Sequence, residues 1–264
     1  MTTTTNTITR QSELESLLSG FHLPSFTKNY QQYARQAEKE RLDHVGYLYQ
    51  LAKLESEDRY NRKTERLIRE AKLPRGKTLD GFELSNFKGI SESQIQELAE
   101  GGCLDRTENI LIFGNPGTGK THLAAALARE WCLRGRRVVF TSASSLVQDL
   151  LAAKRDLKLN AMLKRLDRFE AVIIDDISYI PQDREETDVL FVLLAERYEH
   201  RSLVISSNLP FSQWDKVFKD SVTTMAAVDR VVHHATVLEL NGESYRAQAA
   251  GRRNKRHGSP SLEF

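Results

Sequence analysis

The residues Gly114-Asn115-Pro116-Gly117-Thr118-Gly119-Lys120-Thr121 fill every fixed position of the pattern G-x-x-x-x-G-K-[ST]. That spacing suits one chemistry, the cradling of a polyphosphate. Glycines let successive backbone N–H groups turn inward, Lys120 reaches the β and γ oxygens of a nucleoside triphosphate, and the Thr121 hydroxyl ligates Mg²⁺. The implied cofactors are ATP or GTP and Mg²⁺, and His122, next in the chain, is counted with the binding residues.

Further along, Ala171-Val172-Ile173-Ile174-Asp175-Asp176 is an apolar run that ends in two carboxylates. Asp175 is read as the residue on the magnesium side, acting through water, and Asp176 as the one that orients or deprotonates an attacking water. The competing reading makes the pair a cap on the next turn. Leu203-Val204-Ile205-Ser206-Ser207-Asn208 has the same form with an uncharged end. Asn208 there either hydrogen-bonds the γ-phosphate or the nucleophilic water, or is a turn residue ahead of Leu209-Pro210. Arg230 is a candidate to reach a phosphate, that of a neighbouring subunit, because an arginine stabilises charge developing on a γ-phosphoryl group; alone it would read as a surface ion pair. His233 and His234 have no acidic or cysteine partner at ligand spacing and are not taken as ligands.

These residues need a scaffold that brings them to one place. Asn109–Phe113, ahead of the loop, is a short apolar run suited to a buried parallel strand, and His122–Arg129, behind it, is rich in helix formers. A helix starting at the phosphates adds its N-terminal dipole to the site. Arg137–Thr141, Ala171–Asp175, Leu203–Ser207 and Thr236–Leu240 supply four more strands, and their alternation with helical stretches predicts an α/β fold: a five-stranded parallel sheet flanked by helices, with ligands at the carboxyl ends of the strands.

Before this lies a different kind of segment. From Ser12 to about Lys72, apolar positions such as Leu14, Leu17 and Leu18, then Val45, Leu48, Leu51 and Leu54, recur at helical spacing, and Leu73-Pro74-Arg75-Gly76-Lys77 breaks the pattern. The 264 residues are therefore read as an all-α unit over 1–74, a nucleotide-binding unit over 75–246, and a basic tail over 247–264 that is disordered or adds non-specific attraction. The net charge of +2 hides local concentration. Arg59, Arg62, Lys63, Arg66 and Arg69 recur at helical spacing, as a stripe for phosphate backbones or as a solvated face with Glu65 and Glu70. Hydrophobic content of 40% excludes a disordered chain, and two cysteines, Cys103 and Cys132, are too few for a disulfide framework. With no signal peptide and no apolar run of about 20 residues, the expectation is a cytoplasmic protein with no membrane contact.

Several strings narrow the reading: Thr78-Leu79-Asp80-Gly81-Phe82, Gly117–Ala124, Glu196–Ser202, Ser207–Trp214, Asp229–His234 and Gly242–Arg246. With the loop and the two carboxylates, they make the chain similar to AAA+ ATPases of the bacterial helicase-loader branch, and among these to the IstB-like transposition helpers of IS21-type insertion sequences. The resemblance implies an ATPase stimulated by DNA that binds double-stranded DNA, forms homo-oligomers on it and assists a transposase. It also implies that the all-α segment belongs to DNA binding. The chain departs from the common AAA+ pattern in having Asp176 where Glu is usual, and it leaves no room after the fifth strand for a helical lid. Two other functions fit the same motifs: a replicative helicase loader, and a nucleotide-gated DNA-binding scaffold with negligible turnover.

Overall fold

The structure is a computed structural model and describes residues 2–80, 82, 90–179, 184–214 and 221–241. Packing divides the chain into two compact units, one ending at Arg66 and the other beginning at Leu67.

The first unit is built from α1 (Thr2–Gly20), α2 (Pro24–Glu40) and α3 (His44–Glu70), the last of which runs on into the second unit. Pro24 opens α2, where its missing N–H costs nothing, and Arg41 in a left-handed conformation closes it. A buried carboxylate ties α2 to α3. Glu55, 4% exposed, accepts from the Ser25 backbone N–H at 2.8 Å and from Arg59 Nε at 2.7 Å. Burial alone would raise this carboxyl, but the donors on Arg59 and Ser25 outweigh it and hold it below the usual carboxylate range. Of the apolar positions with helical spacing, Leu51 is buried, while Leu14, Leu17, Val45 and Leu48 are exposed.

The second unit holds a five-stranded sheet in the order β2-β3-β4-β1-β5, with every pairing parallel. Its strands are β1 (Asn109–Gly114), β2 (Val138–Ser142), β3 (Ala171–Asp175), β4 (Ser202–Ser207) and β5 (Ala235–Leu240). Strand residues alternate between two cores, as a period of two requires. Ile110 and Ile112 pack with α6 (Lys120–Leu133), α4 (Glu92–Glu100) and the short α5 (Gly102–Asp105). Leu111 and Phe113 pack with α7 (Ala143–Arg155), α8 (Leu159–Asp167), α9 (Arg184–Arg197) and α10 (Ser221–Val232). Leu123 to Ala128 in α6 are all fully buried, and the run of alanines lets this helix lie close to the sheet. Asn109 fixes the amino ends of the central strands: its side chain donates to the Val231 carbonyl at 3.0 Å and accepts from the Leu203 N–H at 2.8 Å.

The expected boundary at Pro74–Arg75 falls inside this second unit. Leu67 and Ala71 belong to its core, and the Ala71 carbonyl accepts from the Phe140 N–H on β2 at 2.8 Å. Cys103 and Cys132 are free, buried thiols, and desolvation pushes them up to about 11 and about 12. No helix among the described residues is long and apolar enough to cross a membrane. The expectations for Gly242–Arg246, for a missing lid and for the basic tail concern residues outside the described ones.

Candidate nucleotide site

The loop leaves the carboxyl end of β1 and returns as the first turn of α6, so its N–H groups and the helix dipole face the same place. Gly114 is required by space as well as by φ, and Gly119 by φ. At Gly114 (φ +153) a Cβ would lie 2.7 Å from the Leu240 carbonyl oxygen and 2.8 Å from Thr118 Oγ1. At Gly119 (φ +100) it would meet the Phe82 ring at 3.1 Å. Within the loop, Thr118 Oγ1 donates to the Asn115 carbonyl at 2.9 Å. Lys120 Nζ, on a residue only 8% exposed, donates to the Gly114 carbonyl at 2.7 Å and to the Asn115 carbonyl at 3.1 Å.

Parallel register carries the carboxylates to the same end of the sheet. Thr121 Oγ1 lies 3.0 Å from each oxygen of Asp175 at the end of β3. A hydroxyl and a carboxylate in this arrangement form an all-oxygen donor set of the kind that hard divalent cations take. Ser206, fully buried on β4, joins the two adjacent acidic residues: its hydroxyl donates to Asp175 Oδ1 at 2.6 Å and accepts from the Asp176 N–H at 2.8 Å. Asp176 itself is left-handed (φ +60), an uncommon conformation for a residue with a side chain.

Asn208 follows β4 at the same end. Its N–H donates to Ser178 Oγ at 3.1 Å, and its Oδ1 is buried with no partner among the described residues. Gly114, Asn115, Asn208, Phe211, Glu239 and Asn241 are among the residues lining a cavity of about 230 Å³ beside the loop. On another side of the loop, His122 Nε2 donates to the Thr78 carbonyl at 2.8 Å, and its ring centroid lies 5.4 Å from that of Phe82. Thr78 and Phe82 are thereby brought to the loop.

Arg230 is elsewhere. It lies on α10, which feeds β5, and β5 begins beside Asn109, the first residue of β1. The six residues of β1 at roughly 3.3 Å each separate that end from the loop by about 20 Å. Arg230 packs against the helix Arg184–Arg197. Its guanidinium lies 4.8 Å from the Phe191 ring centroid, and Nη1 is buried with no partner among the described residues. Arg197, 2% exposed, ties backbone segments together: it donates to the carbonyls of Leu166, Phe169 and Ser202 at 2.9, 3.0 and 3.0 Å and to that of Glu170 at 3.4 Å. Burial lowers its pKa to about 10.

Arg59, Arg62, Lys63, Arg66 and Arg69 all fall at exposed positions of α3, the first four in the first unit and Arg69 in the second. Arg59 and Arg62 also reach Glu55 Oε1, at 2.7 and 3.4 Å. Sequence reasoning missed Ser206, whose bridging position exists only once β3 and β4 are known to be neighbours. It also missed Glu199, which folding brings to His233 and His234 so that one ligand atom of each lies within 4.8 Å of the others.

A complete phosphate loop between β1 and α6, an aspartate at the end of β3 and the order β2-β3-β4-β1-β5 define a P-loop nucleotide-binding domain of the AAA+ class. Solved structures agree on that fold. AMPPCP-bound DnaA from Aquifex aeolicus superimposes with a TM-score of 0.55 at 19% identity over 73% of this chain and 58% of that chain. The DnaC helicase loader superimposes with a TM-score of 0.51 at 18% identity over 62% of this chain and 97% of that chain. Residues 16–253 match the IstB-like ATP binding protein family, and the chain belongs to that family. It is 41% identical to an insertion sequence ATP-binding protein of Sinorhizobium fredii, over 95% of this chain and 85% of the relative. It is 37% identical to an IS21 ATP-binding protein of Pseudomonas aeruginosa, over 89% of this chain and 88% of the relative.

Proposed function

We propose that this chain is an ATP-hydrolysing helper of transposition that assembles on double-stranded target DNA, engages a transposase, and uses hydrolysis to control the assembly. The carrying observation is the approach of the Thr121 hydroxyl to both Asp175 oxygens beside a complete phosphate loop, in a chain whose relatives are named for insertion sequences.

The residues divide the work by chemistry. Gly114 to Thr121, with His122, hold the triphosphate, and Lys120 exchanges its bonds to the Gly114 and Asn115 carbonyls for phosphate oxygens. Mg²⁺, held by Thr121 and Asp175, would neutralise phosphate charge. Asp176 accepts the proton of the attacking water, and the Asn208 amide orients that water or the γ-phosphate. Arg230 acts on the phosphate of a neighbouring subunit, a role supported by its place in the last turn of α10 and by a buried Nη1 with no partner among the described residues. Such a site is complete only in an oligomer.

For DNA, the exposed Lys63, Arg66 and Arg69 lead, with Arg59 and Arg62 sharing their charge with Glu55. Contacts of this kind read phosphates, so binding should be tolerant of sequence and sensitive to salt. Phosphate release measured with and without duplex DNA, for wild type and Asp176→Ala, tests the proposal. DNA-stimulated release that Asp176→Ala abolishes is expected. Absence of turnover in the wild type would leave a nucleotide-gated scaffold instead, and capture of a replicative helicase in preference to the transposase of the same insertion sequence would make the chain a loader.

A further inference from the structure

The turn between α10 and β5 carries His233 and His234, and the turn between α9 and β4 carries Glu199. All three side chains are exposed, and one ligand atom of each lies within 4.8 Å of the other two. The two imidazole centroids are 4.2 Å apart. The Tyr198 hydroxyl lies 3.0 Å from His233 Nδ1, which leaves Nε2 as the open nitrogen. In the tautomer with its proton on Nδ1, His233 donates to the Tyr198 hydroxyl oxygen. An imidazole held through one nitrogen by an oxygen acceptor, with the other nitrogen free, is the usual setting of a metal-binding histidine.

The geometry points to a zinc site formed by Glu199, His233 and His234, with Tyr198 as the residue that positions His233. Two imidazoles and one carboxylate make a three-ligand set with an open fourth position. Nitrogen ligands select zinc or a neighbouring transition metal over Mg²⁺, so this site differs in kind from the oxygen pair at Thr121 and Asp175. Tetrahedral bonds of about 2.0–2.2 Å bring ligand atoms to about 3.3–3.5 Å from one another, a closure that exposed side chains make by rotation. A bound ion would staple the end of α10 to the turn after α9. These are the helices that carry Arg230 and its stacking partner Phe191. The His233 N–H already donates to the Asp229 carbonyl at 3.0 Å, so the ion would brace the turn beside Arg230.

The test is a Zn²⁺ titration of the untagged full-length chain in competition with a chromophoric chelator, and it does not depend on ATP turnover. Wild type is expected to take up one Zn²⁺ per chain. His233→Ala, His234→Ala and Glu199→Gln should each weaken uptake by at least about tenfold, and Tyr198→Phe by about tenfold through loss of the positioning bond. Cys103 and Cys132 do not compete, being buried thiols with raised pKa values. No saturable uptake, or uptake unchanged in both His233→Ala and Glu199→Gln, would overturn the assignment. Zn²⁺ should also raise the melting temperature of wild type and not of Glu199→Gln, and an equal rise in both would count against it.

Discussion

The two ends of the sheet use polar groups differently. At the carboxyl end, Lys120, Thr121, Asp175 and Ser206 are bonded to one another or to loop carbonyls, contacts that a phosphate or a cation can take over. At the amino end, Arg197 and Asn109 are bonded to backbone of several segments, contacts that nothing is offered to replace. Exchangeable bonds make a site and fixed ones make a frame. Arg230 breaks the pattern: its guanidinium lies over the Phe191 ring, and its buried Nη1 has no partner among the described residues.

The sharpest way to break the comparison is Lys120→Ala. We expect phosphate release to fall to background and ATP affinity to drop by at least about 100-fold, since two charge-assisted bonds at about 1.5–3 kcal/mol each are lost, as fluorescent-nucleotide titration would report. Near-normal affinity would deny the loop its role. Arg230→Ala comes next: turnover in the assembled protein should fall by about 10³-fold while ATP affinity stays the same, the mark of an arginine acting across subunits. A matching loss of affinity would return it to the frame.

Arg197→Met probes the frame directly. Four backbone carbonyls lose a charged donor, so a cost of about 3 kcal/mol is expected, seen as a fall of about 6–12 °C in melting temperature with ATP affinity per folded chain unchanged. The smallest effect belongs to Ser206→Ala, which removes the bridge between Asp175 and Asp176. We expect a stability loss of about 1–1.5 kcal/mol and, from the loosened carboxylates, about tenfold slower turnover. Wild-type turnover in this variant would make the bridge incidental.

Much of the carboxyl end was legible because its signals are local. The apolar runs predicted all five strands to within a residue at each end, and the loop pattern located its own helix. What stayed hidden depends on segments far apart in the chain. The pairing of Ser206 with Asp175 needs the strand order, and the approach of Glu199 to His233 needs two turns to meet. Burial of Glu55 needs α2 to pack on α3, so a helix read as a basic stripe gave no hint that two of its arginines share a carboxylate. The place where the units divide was obscured for another reason. A proline and a glycine break the helix, but Leu67 and Ala71 ahead of them already belong to the second core.

Gly114 has one more implication, for the order in which the protein can form. β1 is the first strand of the sheet in the chain, yet its neighbours are β4 and β5, among the last to leave a ribosome. The glycine that opens the phosphate loop packs against the carbonyl of Leu240, the last residue of β5. A nascent or truncated chain ending before β5 therefore has the whole loop sequence and lacks one wall of it. Parallel pairing over such a separation is slow to form. The capacity to hold nucleotide should thus arise late and all at once, so that incomplete copies compete poorly for ATP.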